Sequence, residues 1–150
     1  MIVEPGAMIT EPLIHLDSSA FIADPDLLRE LEKWATTFHC DAGRVLFRQG
    51  EPSVGLYIVD KGEVTMSMVS DQGRPVVSMR TGERSLLGLP GVIGNEPYTM
   101  TATAGADCTV SFLAREEFFE FMGNESMLAM KILEVLASEV RSARKALSSR

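Results

Sequence analysis

The chain has 150 residues, 45% of them hydrophobic, and its 21 acidic and 14 basic side chains give a formal net charge of -7. This length is sufficient for one well-buried core and short for two, which predicts a single domain. A surface of this sign repels nucleic acid and anionic lipid, and no apolar run reaches the roughly 20 residues of a membrane-spanning helix. Because the N-terminus also lacks a basic leader with an apolar core, we expect a cytoplasmic protein that contacts neither nucleic acid nor membrane directly.

The first part of the chain predicts an arm followed by a helix. Residues 1–23, in which prolines interrupt short apolar pieces, are expected to form an irregular arm on the surface. In the stretch DPDLLRELEKWA, Asp24 is an N-cap, Pro25 stands at the first helical position, and apolar residues follow at helical spacing. An amphipathic helix is therefore predicted over residues 24–38, at the start of one domain spanning residues 24–150.

Residues 42–113 have the pattern of an antiparallel β structure. Glycines recur along short segments rich in Val, Ile, Thr and Met, with turns at intervals of roughly ten residues. In LYIVDKGEVTMSMV, alternation places Val64, Met66 and Met68 on one face, and the following DQG supplies a hairpin turn. This spacing predicts an antiparallel sandwich or barrel rather than a sheet of βαβ units.

Residues 114–150 are predicted to contain two helices. The stretch REEFFEFM forms a short helix that stops at Gly123, and Asn124 caps a second helix that runs nearly to Arg150. The long helix carries an apolar seam with alternating spacings of four and three, which is typical of a left-handed contact between two helices: Ala129, Leu133, Leu136, Val140, Ala143 and Leu147.

A second apolar stripe covers only the first half of the long helix, at Leu128, Ile132 and Val135. We expect the first half to pack on its own barrel while the whole seam pairs with a second copy of the chain. The alternative is a helix that packs on the core and carries the seam by chance, since the seam is shorter than the three to four heptads of a firm coiled coil.

Few residue combinations in the chain carry metal-binding or catalytic chemistry. Cys40 and Cys108 do not form a CxxC pair, and His39 lacks companion ligands, which favours a buried thiol and a partly exposed imidazole over a metal site. The chain contains no G-x-S-x-G elbow, Walker loop or readable Cys/His pair, so neither an enzyme nor a cofactor is predicted. Three acidic residues beside turn glycines are most simply solvated: Asp60, Glu63 and Glu83.

The stretch AGRVLFRQGEPSVGLYIVDKGEV resembles the opening of the cyclic nucleotide-binding domain found in the sensory half of Crp/Fnr-type bacterial regulators. The likeness runs from about Val45 through the long helix. It implies a mainly β fold with flanking helices: a double-stranded β-helix, or jelly roll, followed by a long C-terminal dimerisation helix. It also implies a non-enzymatic regulatory homodimer with a small-molecule effector or a protein partner. The helix-turn-helix of those regulators does not follow in RSARKALSSR, so DNA reading is not carried over.

The stretch LLGLPGVIGNEPYTMTATA is similar to the phosphate-binding cassette of this family, in which an arginine neutralises the phosphate and a glutamate accepts a ribose hydroxyl. Gly88 matches the cassette glycine, Leu89 stands at the glutamate position, and Tyr98 stands at the arginine position. Losing the arginine contact to the phosphate costs roughly 1.5 to 3 kcal/mol, and losing the acceptor for the ribose hydroxyl costs about 1 to 3 kcal/mol more. Tight binding of cyclic AMP or cyclic GMP is therefore not expected. The candidate ligand-binding residues are Gly88, Leu89, Pro90, Gly91, Tyr98 and Thr99.

Two interpretations of the cassette remain open. A pocket lined by Leu89, Tyr98, Thr99 and neighbouring methionines suits an uncharged or amphipathic ligand, as in a sensor that signals through its helix. The alternative is a structural or interaction domain with a filled, ligand-free pocket. Extending the resemblance without gaps puts Ala143 and Arg144 where relatives that recognise adenine carry small hydroxyl residues.

Overall fold

A computed structural model describes residues 13–148 as two four-stranded antiparallel sheets flanked by helices. The first sheet has the order β1-β8-β3-β6 and the second has the order β2-β7-β4-β5. The strands are β1 (Thr36–Cys40), β2 (Val45–Phe47), β3 (Gly55–Lys61), β4 (Val64–Val69), β5 (Pro75–Thr81), β6 (Leu86–Leu87), β7 (Thr101–Ala104) and β8 (Cys108–Ala114). The helices are a 3-10 helix (Ser18–Phe21), α1 (Pro25–Glu32), α2 (Leu89–Gly94), α3 (Arg115–Asn124) and α4 (Ser126–Ser148).

The start of α1 agrees with its sequence signals, and its end does not. The Asp24 side chain accepts hydrogen bonds from the backbone N–H groups of Asp26 at 2.8 Å and Leu27 at 3.3 Å. The prediction that helix continues to residue 38 is wrong, because α1 ends at Glu32 and residues 36–40 form β1. β-Branched and aromatic residues in TTFHC favour a strand, and they pair in register with β8.

The hairpin of β4 and β5 confirms the predicted alternation at Val64 and Met66, whereas Met68, predicted on the same face, is only half-buried. Val64 and Met66 are buried, while Thr65 and Ser67 on the opposite face are half-buried. The turn between the two strands includes Gly73, whose φ of 78° lies in the left-handed region that glycine adopts without strain. The roll therefore follows from local turn chemistry combined with a two-residue repeat.

Two apolar clusters form the core. One lies between the helices and the first sheet, and its largest buried side chains include Phe118 and Phe121 of α3. Ile132 and Val135 of α4 join this cluster, as the stripe on the first half of the helix predicts. The other cluster fills the roll itself, between the two sheets. The first half of α4 is thus part of the fold of its own chain.

The long helix has additional polar attachments. Lys131 of α4 forms a salt bridge with Asp24 at 2.9 Å, so one carboxylate joins the start of α1 to α4. Further along, the Ser142 hydroxyl accepts a hydrogen bond from the backbone N–H of Asp17 at 2.8 Å. The described part of the N-terminal arm therefore lies against the second half of α4. Between residues 13 and 148, no helix is long and apolar enough to cross a membrane.

Candidate functional site

The cassette is built on a tight connection between β6 and α2. Gly88 precedes the helix with φ at 92°, and a Cβ added there would lie 2.8 Å from Cε1 of Tyr98. Both the left-handed backbone and the close ring require glycine at this position. Asn95 ends the six-residue helix in a left-handed conformation, which turns the chain back towards the roll. The sequence GLPGVIGN therefore specifies the shape of the cassette.

Tyr98 is fixed inside the roll by its hydroxyl, its ring and its backbone. The hydroxyl donates to the backbone oxygen of Gly55 at 2.6 Å and accepts from the N–H of Gly55 at 3.1 Å. The ring stacks on Phe47 with 4.0 Å between centroids, and the side chain is only 3% exposed. Backbone hydrogen bonds join Tyr98 to Gly50 and Glu51. Burial raises the pKa of the Tyr98 hydroxyl, so the ring stays neutral across the physiological range.

Little space remains beneath the cassette. The cavity there has a volume of about 10 Å³, which is close to the space that one water molecule needs. Pockets that hold small ligands measure about 300 to 1,000 Å³. The residues that line this cavity are Phe21, Phe47, Met66, Gly88, Pro90, Gly91, Tyr98, Thr99, Met100 and Glu139.

The structure brings five of the six candidate cassette residues to this cavity. Leu89 is the exception: it is fully buried in the cluster between the helices and the first sheet, and it does not line the cavity. In that cluster the aliphatic side chain of Leu89 is removed completely from water, which is favourable. Ala143 and Arg144 do not line the cavity either, and no arginine occurs among the described residues that do.

Phe21, Phe47 and Glu139 line the cavity and were missed by the sequence analysis, and Glu139 is the acidic one among them. Its Oε2 atom is buried and has no hydrogen-bond partner among the described residues, and burial raises the pKa of its carboxyl to about 8. It lies one helical turn before Ala143, far from the cassette in sequence. Its position continues the four-and-three spacing of the inward stripe at Leu128, Ile132 and Val135. A charged residue at an inward helical position is the signal that could have identified it.

The predicted dimer helix presents part of its seam to solvent. Leu133 is 44% exposed, Val140 is 45% exposed and Leu147 is 57% exposed. Leu136 and Ala143, between them on the helix, are half-buried. A row of exposed large apolar side chains on one face is unusual for a helix whose opposite face already packs on the core.

A second cleft, of about 300 Å³, lies between α1 and the first sheet. Here Asp60 accepts a hydrogen bond from the Ser111 hydroxyl at 2.5 Å, so it is not simply solvated as its position beside a turn glycine suggests. A hydrogen bond shared with Asp60, together with burial, raises the pKa of Glu32 to about 7. Glu63 and Glu83 are exposed, as expected.

A third and larger cavity, of about 750 Å³, lies between the described part of the arm and the second half of α4. Acidic and basic side chains both line it, including Asp17, Arg141 and Lys145. Its two basic side chains outnumber its one acidic side chain among the described residues, so the local charge is positive, whereas the cassette cavity contains no lysine or arginine among its described lining residues. It is therefore distinct from the cassette in both position and chemistry.

The cysteines and histidines form no metal centre in the described part of the chain. Cys40 and Cys108 face each other in the register of β1 and β8, both buried and both with free thiols. Burial raises the pKa of each thiol, which lowers the fraction of reactive thiolate. His39 is exposed. Within residues 13–148, no group of three or more His, Cys, Asp or Glu side chains is placed to hold a metal ion.

Curated relatives match most of this chain, and the chain spans only part of each of them. An uncharacterized NTE family protein of Mycobacterium tuberculosis is 31% identical over 144 residues, which is 94% of this chain and 24% of that protein. Patatin-like phospholipase domain-containing protein 6 of Homo sapiens is 27% identical over 79% of this chain and 8% of its own length. The CRP-like cAMP-activated global transcriptional regulator of M. tuberculosis is 23% identical, over 79% of this chain and 53% of its own length.

The fold also matches solved structures. The catabolite activator protein of Thermus thermophilus superposes with a TM-score of 0.74 at 21% identity, over 83% of this chain and 59% of that one. At the level of sequence, residues 37–125 match the family model of the cyclic nucleotide-binding domain. This segment is more than half of the chain and contains the roll, the cassette and α3. The chain therefore belongs to the cyclic nucleotide-binding domain family.

Proposed function

We propose that this chain is a non-enzymatic regulatory domain whose degenerate cassette does not bind cyclic AMP or cyclic GMP tightly and whose output runs through α4. One observation carries the proposal. The Tyr98 ring, held by two hydrogen bonds to Gly55, fills the roll and leaves about 10 Å³ beneath the cassette. A cyclic nucleotide bound at the Gly88 turn, as the family resemblance implies, would have to occupy this space.

Electrostatics oppose a cyclic phosphate as well. The described residues lining the cavity include no lysine or arginine, and the acidic side chain among them is Glu139. An anion entering there would lose its hydration, find no cation and meet a carboxyl group. Displacing Tyr98 would also leave the backbone groups of Gly55 without a partner, at a cost of about 1 to 3 kcal/mol.

Isothermal titration calorimetry tests the first part of this proposal. We expect the dissociation constants of cyclic AMP and cyclic GMP to be weaker than about 100 µM, because space and charge both oppose binding. The M. tuberculosis regulator named as cAMP-activated serves as a positive control under the same conditions. Low-micromolar binding of either nucleotide by this chain would contradict the proposal.

The exposed apolar face of α4 supports a homodimer as the form in which the domain acts. Changing Leu133 and Val140 together to lysine places two charges in the proposed contact. We expect this double variant to weaken self-association by at least about a hundredfold, since burying unpaired charges is strongly unfavourable. Sedimentation velocity across a concentration series measures the effect.

A matched control comes from the second sheet. Val69 of β4 is 44% exposed, like Leu133, and lies outside the long helix. Changing Val69 to lysine is expected to leave the sedimentation profile unchanged. A wild-type chain that remains monomeric at the highest concentration would remove the dimer from the proposal, whatever the variants do.

A second candidate function is a structural or interaction domain that needs no effector. The small volume beneath the cassette and the fully hydrogen-bonded Tyr98 hydroxyl favour it. Native mass spectrometry of freshly purified chain separates the two functions. A retained small molecule supports an effector-binding sensor, whereas a mass equal to that of the polypeptide supports the filled domain.

The share of each relative's length that matches this chain is relevant to the kind of partner that this chain binds. Segments similar to this chain form about a quarter of the mycobacterial NTE family protein and a smaller share of the patatin-like phospholipase domain-containing protein. We infer that a domain of this kind is used beside protein domains of other types, and that the partner of this chain is a protein surface rather than DNA. Its net charge of -7 is consistent with that assignment.

A further inference from the structure

Glu139 occupies an unusual position for an acidic residue. It projects from α4 into the cavity beneath the cassette, where the other described lining residues are apolar, aromatic or small. Its Oε2 atom is buried and has no hydrogen-bond partner among the described residues. Burying a carboxylate without a partner is costly, whereas a protonated carboxyl group loses much less on leaving water. The geometry therefore favours the neutral form while α4 is in place.

The groups around Glu139 offer no compensating charge. Tyr98 is the other titratable side chain among the described residues that line the cavity. On α4 itself, the residues one turn away in either direction are uncharged: Val135, Leu136, Ser142 and Ala143. The arm contributes Phe21 and the roll contributes Phe47, Met66 and Met100 to the same cavity. The residue as a whole is half-buried and its Oε2 atom is shielded, so the charge state of Glu139 depends on how far water reaches into the carboxyl group.

We propose that Glu139 is a proton-binding site that couples the cassette to α4. With a neutral carboxyl, the second half of α4 packs over the cassette; with an ionised carboxyl, Glu139 moves into water and draws that part of the helix away. This inference rests on the proposed function, because the proton replaces the nucleotide as the input to the domain.

The direction of the coupling follows from linkage. The docked helix holds the Glu139 proton with a pKa of about 8, compared with 4.5 for a solvated glutamate. Release of the helix is therefore coupled to release of a proton wherever the pH lies between these two values. Over that interval the ratio of released to docked helix is expected to rise roughly tenfold per pH unit, and above about pH 8 it levels off.

The two halves of α4 differ in how firmly they are attached. Ile132 and Val135 are buried in the core, and Lys131 is paired with Asp24. The second half packs on the 3-10 helix and the rest of the described arm, where the Asp17 N–H donates to the Ser142 hydroxyl beside the cavity of about 750 Å³. A rearrangement of the second half leaves the core intact, which is what a reversible switch requires.

Two measurements on the whole chain test the proposal. Carbon-13 NMR of labelled glutamate carboxyls should show a group that titrates above the solvated pKa of 4.5 and no higher than about 8, since release of the helix lowers the observed pKa below that of the docked state, and this titration should be absent in Glu139→Gln. Hydrogen–deuterium exchange of the Asp17 backbone amide, which donates to the Ser142 hydroxyl while the helix is docked, should then become faster in the wild type as the pH rises from about 6 to about 8, by up to roughly tenfold per unit relative to Glu139→Gln at the same pH. Glu134→Gln, at an exposed position on the same helix, is the control and should behave as the wild type.

The outcomes separate this proposal from the proposed function. If no carboxyl that is missing from Glu139→Gln titrates between about pH 5 and about pH 8, or if the Asp17 amide exchanges equally in wild type and Glu139→Gln at every pH, the proton site is wrong. Calorimetry with cyclic nucleotides is unaffected by either result, so weak nucleotide binding with no switch would leave the proposed function standing. Tight nucleotide binding would remove the proposed function even if Glu139 titrates as expected.

Discussion

Replacing Tyr98 by alanine is expected to lower the free energy of unfolding by about 3 to 5 kcal/mol, the range for truncating a large buried aromatic side chain. The substitution removes a ring that is 3% exposed and stacked on Phe47. It also leaves both backbone groups of Gly55 without their hydrogen-bond partner. Urea unfolding followed by circular dichroism measures the change.

Two further variants separate the contributions of Tyr98. Tyr98→Phe keeps the ring and is expected to cost about 1 to 2 kcal/mol, because only the hydroxyl contacts are lost. Thr99→Ala, at an exposed neighbouring position, should change the free energy of unfolding by less than about 0.5 kcal/mol. A loss below about 1 kcal/mol for Tyr98→Ala would show that the ring does not fill the roll in solution.

Changing Glu139 to glutamine is expected to stabilise the chain at neutral and alkaline pH and to have little effect near pH 4. The folded chain has a raised pKa of about 8 at this residue against 4.5 in the unfolded chain, so the wild type loses stability as the pH rises through this interval. At about 1.36 kcal/mol per unit, the difference amounts to about 4 to 5 kcal/mol at most, and to less if α4 releases the carboxyl. Glutamine cannot ionise and avoids this loss.

Urea unfolding at a series of pH values checks the sign of this effect. The difference in unfolding free energy between Glu139→Gln and the wild type should grow from about pH 4.5 to about pH 8 and then remain constant. Glu134→Gln should show no such growth, because that residue is exposed. A difference that is constant over the whole range would mean that Glu139 is solvated in the folded chain.

Much of the fold follows from local sequence signals. The cap at Asp24, the alternation in β4 and the inward stripe of α4 each depend on neighbouring residues, and each has the expected structure. The end of α1 was mispredicted because residues 36–38 are committed to a strand by pairing with β8, more than 70 positions later in the chain. Helical spacing in the preceding residues contains no information about that partner.

Less of the candidate site than of the fold could be predicted from the sequence. The resemblance led to Gly88 and Tyr98, since both lie within one continuous motif. It also led to Leu89, which packs into the core instead, because alignment specifies a position along the chain and not the direction of its side chain. Glu139 was missed because its approach to the cassette depends on how α4 packs on the roll. The ungapped extension of the resemblance pointed instead to Ala143, one helical turn later.

The uneven attachment of α4 makes the helix a lever. In the proposed switch its pivot would be the buried pair Ile132 and Val135, and the part of α4 from Val135 to Ser148 is about 20 Å long at 1.5 Å per residue. A tilt of about 10° at the pivot would therefore displace the far end by about 3 Å, enough to separate side chains that pack at van der Waals distance. In the proposed switch, a rearrangement no larger than one carboxyl group inside the roll would in this way be converted into a displacement at the far end of α4.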